Sequence, residues 1–340
     1  MLTRLRLQNF TAFSTLDMRL SPGINIFIGT NGTGKTHLLK LLYAACDVTR
    51  SREDFADKLH DVFLPYQGRM GRLAHRQKGS VSASIRVSRN SHRLAVTFSN
   101  HTQTTSSVEV SGKKEWYAER MECAYIPVKE MLAHAPGFRS LYSGRHIQFE
   151  ETYFDIVDRA YLPRLKGPID RDRQRLLKNI EQAIQGKVIT RGEFFFLRNA
   201  QGELEFSLLA EGLRKLALLW LLIQNGTLLR GTVLCWDEPE ANLNPRIMGQ
   251  IVEILLELQR LGVQVFLATH DYVVLKEFDL RRQPHDHLRY HALYRDQETS
   301  EVLLHSAERY LDIHPNAIAD TFMDLYDRDV ARALDVGQQV

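Results

Sequence analysis

The sequence predicts an α/β fold in which a phosphate-binding loop joins a buried strand to a helix. Three observations carry that expectation. Gly29 to Thr36 reads G-T-N-G-T-G-K-T and fits G-x-x-x-x-G-K-[ST]. Ile24-Asn25-Ile26-Phe27-Ile28 runs into it as a mostly apolar strand, and His37 to Leu42 leaves it with the spacing of a helix. Much further along, Thr232 to Glu238 is a second apolar run, and it ends in two carboxylates, Asp237 and Glu238.

In order along the chain, Leu2, Leu5 and Leu7 alternate with Arg4 and Arg6, which reads as a strand that pairs into the sheet from the start. Phe10 and Phe13 follow, where an aromatic could stack on adenine or simply fill the core. Pro22-Gly23 marks the turn into the buried strand. From Gly68 to Val110 short alternating runs separated by Asn, Ser and Gly predict a small antiparallel β-subdomain. Ala124-Tyr125-Ile126-Pro127 reads as a strand returning to the sheet, and the stretch to about Gln185 is helical in character. Val188 to Phe206 carries two strand-like runs, and Leu216 to Ile223 is a helix apolar all round, hence buried. A helix over Ile247 to Leu261 and a strand over Val263 to Ala268 lead to Thr269-His270-Asp271.

The residue types explain the chemistry expected at each place. Gly29, Gly32 and Gly34, with Thr30, Asn31 and Thr33 between them, let backbone N–H groups approach phosphate oxygens. Lys35 supplies a cation for the outer phosphates, and Thr36 supplies a hydroxyl for Mg²⁺. A strand ending at Asp237 sets that carboxylate on the same metal and leaves Glu238 to activate the attacking water. His270, at the end of a neighbouring strand, is expected to touch the γ-phosphate. The cofactors implied are ATP and Mg²⁺.

The set G-x-x-x-x-G-K-T, then strand-D-E-P-E-A-N-L-N-P, then strand-T-H-D, resembles the ABC-type ATPases of the RecF, SMC and OLD branch. That resemblance covers nearly the whole chain and implies an ABC ATPase head, a P-loop NTPase with a small antiparallel β-subdomain and a helical subdomain. It divides a single domain into a P-loop lobe (1–67), a β-subdomain with the return strand (68–135), a helical or signature lobe (136–223), and closing elements with the Walker B strand and histidine loop (224–340). It also implies a homo-oligomer, a dimer or larger, in which one copy's signature loop meets the other's ATP. On that reading Lys35 and Thr36 are Walker A residues, Asp237 and Glu238 the Walker B pair, Glu240 to Asn244 the D-loop, and His270 the switch histidine. The signature place reads Leu209-Ala210-Glu211-Gly212-Leu213: Gly212 is retained and the serine is absent. Lys129 or Glu130 stands where the family's Q-loop glutamine is expected. Both departures are similar to stand-alone ATPases of bacterial anti-phage systems, of the AriA and PtuA kind, and imply a separate effector protein.

Composition narrows the remaining choices. The chain has 340 residues, 44% of them apolar, and a net charge of +3, too small to announce a nucleic-acid binder. Between Asp61 and Glu109 there is no acidic residue, while Arg69, Arg72, Arg76, Lys78, Arg86, Arg89 and Arg93 fall inside the gap. That region could track DNA, or serve as a solvated face or a surface for an acidic protein. No run of about 18 apolar residues and no leader pattern occur, so a cytoplasmic protein without a membrane span is expected. Cys46, Cys123 and Cys235 are widely separated and expected as buried thiols. Asp327-Arg328-Asp329 reads as a helix face, and Pro284-His285-Asp286-His287 as a polar loop.

Overall fold

The computed structural model describes residues 1–145 and 147–337. The hairpin of β1 (Leu2–Phe10) and β2 (Phe13–Arg19) precedes β3 (Ile24–Ile28), and α1 (Lys35–Ser51) and α2 (Phe55–Phe63) follow. Next come β4 (Ser82–Arg89), β5 (His92–Ser99), β6 (Glu109–Ser111), α3 (Lys113–Ala118) and β7 (Cys123–Ile126). A helical stretch of α4 (Phe138–Arg145), α5 (Glu151–Ala160) and α6 (Arg171–Ala183) leads to β8 (Lys187–Arg191), β9 (Phe194–Asn199) and β10 (Gly202–Glu205). The chain then runs through α7 (Glu211–Gln224), β11 (Val233–Asp237), α8 (Pro245–Arg260), β12 (Gln264–Thr269) and α9 (Tyr272–Arg281). It closes with β13 (Leu288–Arg295), β14 (Val302–Ala307) and α10 (Ala317–Gly337).

Six strands form the central sheet in the order β14-β13-β3-β12-β11-β7. All pair in parallel except β14, which lies antiparallel on the β13 edge. Every residue of β3, β11 and β12 is buried, as expected of strands covered on both faces. The one polar residue of β3, Asn25, is satisfied within the core: it accepts from the Ser21 amide at 2.7 Å and donates to the Ser21 carbonyl at 3.0 Å.

A second sheet is antiparallel, in the order β2-β1-β4-β5-β6. This corrects the expectation for the N-terminus: β1 does not pair into the phosphate-loop sheet but joins the β-subdomain, which is therefore built from residues on both sides of α1. The reason is visible in its alternation. Leu5 and Leu7 point to the core while Arg4 and Arg6 do not, a pattern that suits a sheet with one wet face and would be costly in a strand buried on both. Helix α1 fills the space between the two sheets, packing on β7, β11 and β12 and sharing a core with Leu5, Ile85 and Val96 of the antiparallel layer. The opposite face of the central sheet is covered by α5 to α8 in a separate core. A third sheet, β8-β9-β10, has one strand more than the two runs expected, because Gly192, at φ 57°, turns the first run back on itself.

A buried charge cluster ties α1 to α2 and α5. Lys58 Nζ lies 2.8 Å from Asp47, 2.9 Å from Asp155 and 2.8 Å from Glu151, and Arg159 also pairs with Asp47. Tyr43 donates to Asp155 at 2.5 Å. Burial alone would raise the Asp47 carboxyl, yet Arg159 and Lys58 hold it well below the usual range. Glu151 goes the other way: burial, with Asp155 close by, pushes it up to about 8. Replacing Lys58 by Met leaves the carboxyl groups of Asp47, Glu151 and Asp155 facing one another with only Arg50 and Arg159 to offset them. Urea unfolding of Lys58→Met is expected to show a loss of about 3–5 kcal/mol, with Lys58→Arg recovering part of it.

Candidate functional site

The site lies where β3, β11 and β12 end side by side. Strand β3 delivers Gly29, whose φ of 147° and close approach to the Leu293 carbonyl leave no room for a side chain. Gly34, at φ 90°, sits where an added Cβ would lie 2.7 Å from the Phe13 ring. Phe13 therefore supports the loop from below. Phe10 and Phe13 are both fully buried, which answers the open question about them: they are core aromatics.

Within the loop, the Thr33 hydroxyl donates to the Thr30 carbonyl at 2.8 Å. Lys35 folds back to donate to the carbonyls of Gly29 at 2.7 Å and Thr30 at 3.1 Å. Arg295, from the end of β13, donates to the Gly32 carbonyl at 2.9 Å, while Asn31 and Gly32 remain exposed. Burial pulls the Lys35 ammonium down, opposed by Glu238, Asp237 and Glu240.

Asp237 closes β11 and is 3% exposed. It accepts a hydrogen bond from the Tyr125 hydroxyl at 3.2 Å and has the Thr36 hydroxyl beside it. Burial raises its carboxyl, and Glu238 adds to that, while the Thr36 hydroxyl opposes both. Glu238 takes a left-handed backbone, φ 46°, with its amide donating to the Ala268 carbonyl at 2.9 Å. Its carboxylate lies 3.3 Å from His270 Nδ1. The structure thus brings Lys35, Thr36, Asp237, Glu238 and His270 to one edge of the sheet. Tyr125 is a neighbour that sequence reasoning missed, since a strand tyrosine carries no motif.

Gly212 is not part of that group. It is buried in the first turn of α7, where an added Cβ would overlap the side chain of Leu243 in the D-loop. The requirement for glycine here is explained by packing within the chain. Glu211 turns to Asn242, which donates to it at 3.0 Å, and Lys215 donates to the Ala241 carbonyl at 2.7 Å. Arg214 instead grips Glu130 at 2.5 Å. Glu130, at the place of the expected Q-loop glutamine, is buried in that ion pair, whereas Lys129 is exposed.

The donor set at Thr36 and Asp237 is made of hard oxygens, which suits Mg²⁺. Among the described residues no three His, Cys, Asp or Glu side chains gather into a site that could hold a metal; Mg²⁺ held by one carboxylate, a hydroxyl and phosphates does not need one. The packing of Gly212 makes its own forecast. Gly212→Ala is expected to destabilise the fold by about 1–3 kcal/mol in chemical denaturation, and Leu243→Ala in the same chain should relieve most of that cost.

Comparison with known proteins agrees with this geometry. Residues 1–101 match a family model described as "AAA ATPase domain", and residues 127–276 match one described as "AAA domain, putative AbiEii toxin, Type IV TA system". The DNA replication and repair protein RecF of Streptococcus suis is 33% identical over 106 residues, 29% of each chain. RecF of Lactobacillus acidophilus is 38% identical over 87 residues, 25% of this chain and 22% of that one. The match thus spans less than a third of the length of these curated relatives. Among solved structures, an Smc head bound to the C-winged helix domain of ScpA aligns over 92% of this chain and 99% of its own, with a TM-score of 0.56 at 12% identity. The Smc head with an extended coiled coil from Pyrococcus furiosus aligns over 96% and 98%, with a TM-score of 0.53 at 9% identity. These two establish the fold. With its phosphate loop, its strand-end carboxylates and this architecture, the chain has the fold of an ABC-type ATPase head and is similar in part to AAA ATPase family models and to RecF.

Proposed function

We propose that this protein binds and hydrolyses ATP with Mg²⁺, and uses the nucleotide to control an oligomer that regulates a separate effector. The observation that carries the hydrolytic part is the convergence of Lys35, Thr36, Asp237, Glu238 and His270 on one sheet edge. Lys35 releases the loop carbonyls and turns to the phosphates, and the loop amides hold the phosphate oxygens. Thr36 and Asp237 would hold Mg²⁺, which supplies charge neutralisation on the phosphates when bound. Glu238 orients and deprotonates the attacking water, and His270, beside it, faces the terminal phosphate.

For the oligomer, the N-terminus of α7, where the Glu211 and Gly212 amides have no backbone partner, is the end that would face a nucleotide on a second copy. Glu211, which would repel phosphate, is engaged by Asn242 and lies near Lys215. The lost signature serine and the type IV toxin–antitoxin description of the matching family support a role in a defence or conflict system over transport. No helix among the described residues is long and apolar enough to cross a membrane. Glu238→Gln is expected to lower kcat by about 100-fold or more while ATP affinity is kept, because the base is lost and the binding groups remain. ATP should shift this variant to a larger species in light scattering; a monomer under those conditions would sink the oligomer proposal.

A second reading, a RecF-like DNA-binding ATPase, draws on the outer face of the antiparallel sheet. Arg4 stands opposite Arg19, Arg6 opposite Arg86, and Ser88 opposite Arg93, which makes an arginine-rich face across four strands. Asp17 engages Arg4 and Arg6. Arg89 is removed from the basic region: it is 2% exposed, over the Trp116 ring and bonded to the carbonyls of Trp116 and Glu119. Binding of duplex DNA, titrated with salt, should lose about two from its log–log slope in Arg86→Ala/Arg93→Ala if this face is used. An unchanged slope would leave the effector reading standing alone.

A further inference from the structure

The side chain of the D-loop residue Glu240 is 7% exposed, and its carboxylate lies 3.7 Å from Nδ1 of the half-exposed His270. Placing one more acid there is costly, and its Oε2 has no hydrogen-bond partner. What the other oxygen does is specific. Glu240 Oε1 accepts from the Thr269 hydroxyl at 2.6 Å and from the His270 amide at 3.0 Å. The same Thr269 oxygen accepts from the Asp271 amide at 3.0 Å, and Asp271 in turn caps α9 through the Val274 amide at 2.9 Å. Residues 269 to 271 are thereby pinned from both sides, and the His270 ring projects from a fixed backbone to within 3.3 Å of Glu238. The next residue of the D-loop is held from the opposite direction, by Lys215 of α7 on the Ala241 carbonyl.

We infer that Glu240 is a positioning residue for His270: its Oε1 fixes the strand end that carries the imidazole, and the D-loop links that strand end to the first turns of α7. Glu240 acts through the Thr269 hydroxyl and the backbone of His270. Burial lifts its carboxyl, and the Thr269 and His270 donors oppose that lift, which agrees with an acceptor held in place by two hydrogen bonds. Helix α7 can displace Ala241 only by straining the Glu240 contacts. Movement of the helical lobe is therefore transmitted to His270 within one chain.

The inference rests on the hydrolytic reading above, so its test includes a measurement that needs no turnover. In steady-state assays Glu240→Ala is expected to lower kcat by about tenfold or more, with KM for ATP within about twofold of wild type. Glu240→Gln keeps an oxygen acceptor at Oε1 and should retain kcat within about threefold of wild type. A Gln variant as slow as the Ala variant would overturn positioning through hydrogen bonds, as would an Ala variant with wild-type kcat. Separately, amide hydrogen exchange at His270 in the nucleotide-free protein should be slow in wild type and in Glu240→Gln and faster in Glu240→Ala; equal rates in all three would overturn the inference even if the wild type hydrolyses nothing. If Glu240→Ala does not fold, Thr269→Val removes one donor and leaves the carboxylate; it should lower kcat with KM unchanged, and full activity there would count against the inference.

Discussion

A helix buried along thirteen of its seventeen residues has to satisfy every polar group it carries inside the protein, and α1 is such a helix. Its first turn is the end of the phosphate loop, so the helix cannot shift without shifting the loop. Lys35 is satisfied by loop carbonyls, Lys40 by Glu150 at 2.5 Å, and Asp47 by Lys58 and Arg159. These partners come from the phosphate loop, from α2, and from α5 with its N-cap. The two sheets, α2 and the helical lobe are consequently arranged around the polar requirements of one element as much as around its apolar ones. Coulomb attraction at low dielectric makes those contacts strong once formed, and makes the loss of either partner expensive.

The D-loop is the second organising feature. It follows Glu238 and contains Asn242, both non-glycine residues with positive φ, and its side chains and carbonyls bond outward to α7 and to the end of β12. A loop this thoroughly tied is no hinge. It is a short rigid bridge, and its two abutments are the helix expected to meet another copy and the histidine expected to meet phosphate.

Much of the site was legible in the sequence because it depends on local chemistry. The glycines of the phosphate loop, Lys35 and Thr36 occupy fixed offsets between a strand and a helix, and Asp237, Glu238 and His270 close apolar strands whose burial follows from composition. The parts that were not legible depend on long-range pairing. Nothing in Leu2 to Phe10 says that its partner is β4, far along the chain, and a half-buried strand fits either sheet until the registers are known. Gly212 reads as a contact to a second copy's phosphate from its neighbours alone, and the packing of Leu243 over it within the chain is not visible there. Arg89 counted as one of a basic set because charge is visible in sequence and burial beneath Trp116 is not. The partners of Lys58 lie on two other helices, and no spacing rule joins Asp47, Glu151 and Asp155 to it.

The ion pair of Glu130 with Arg214 has a mechanical consequence. A glutamine at that turn would be neutral and could not form this ion pair. Here the turn after β7 is clamped to the first turn of α7 by a short, buried, charged contact, and the Leu132 amide also donates to Glu130. Displacing the start of α7 would therefore strain the end of β7 within the same chain.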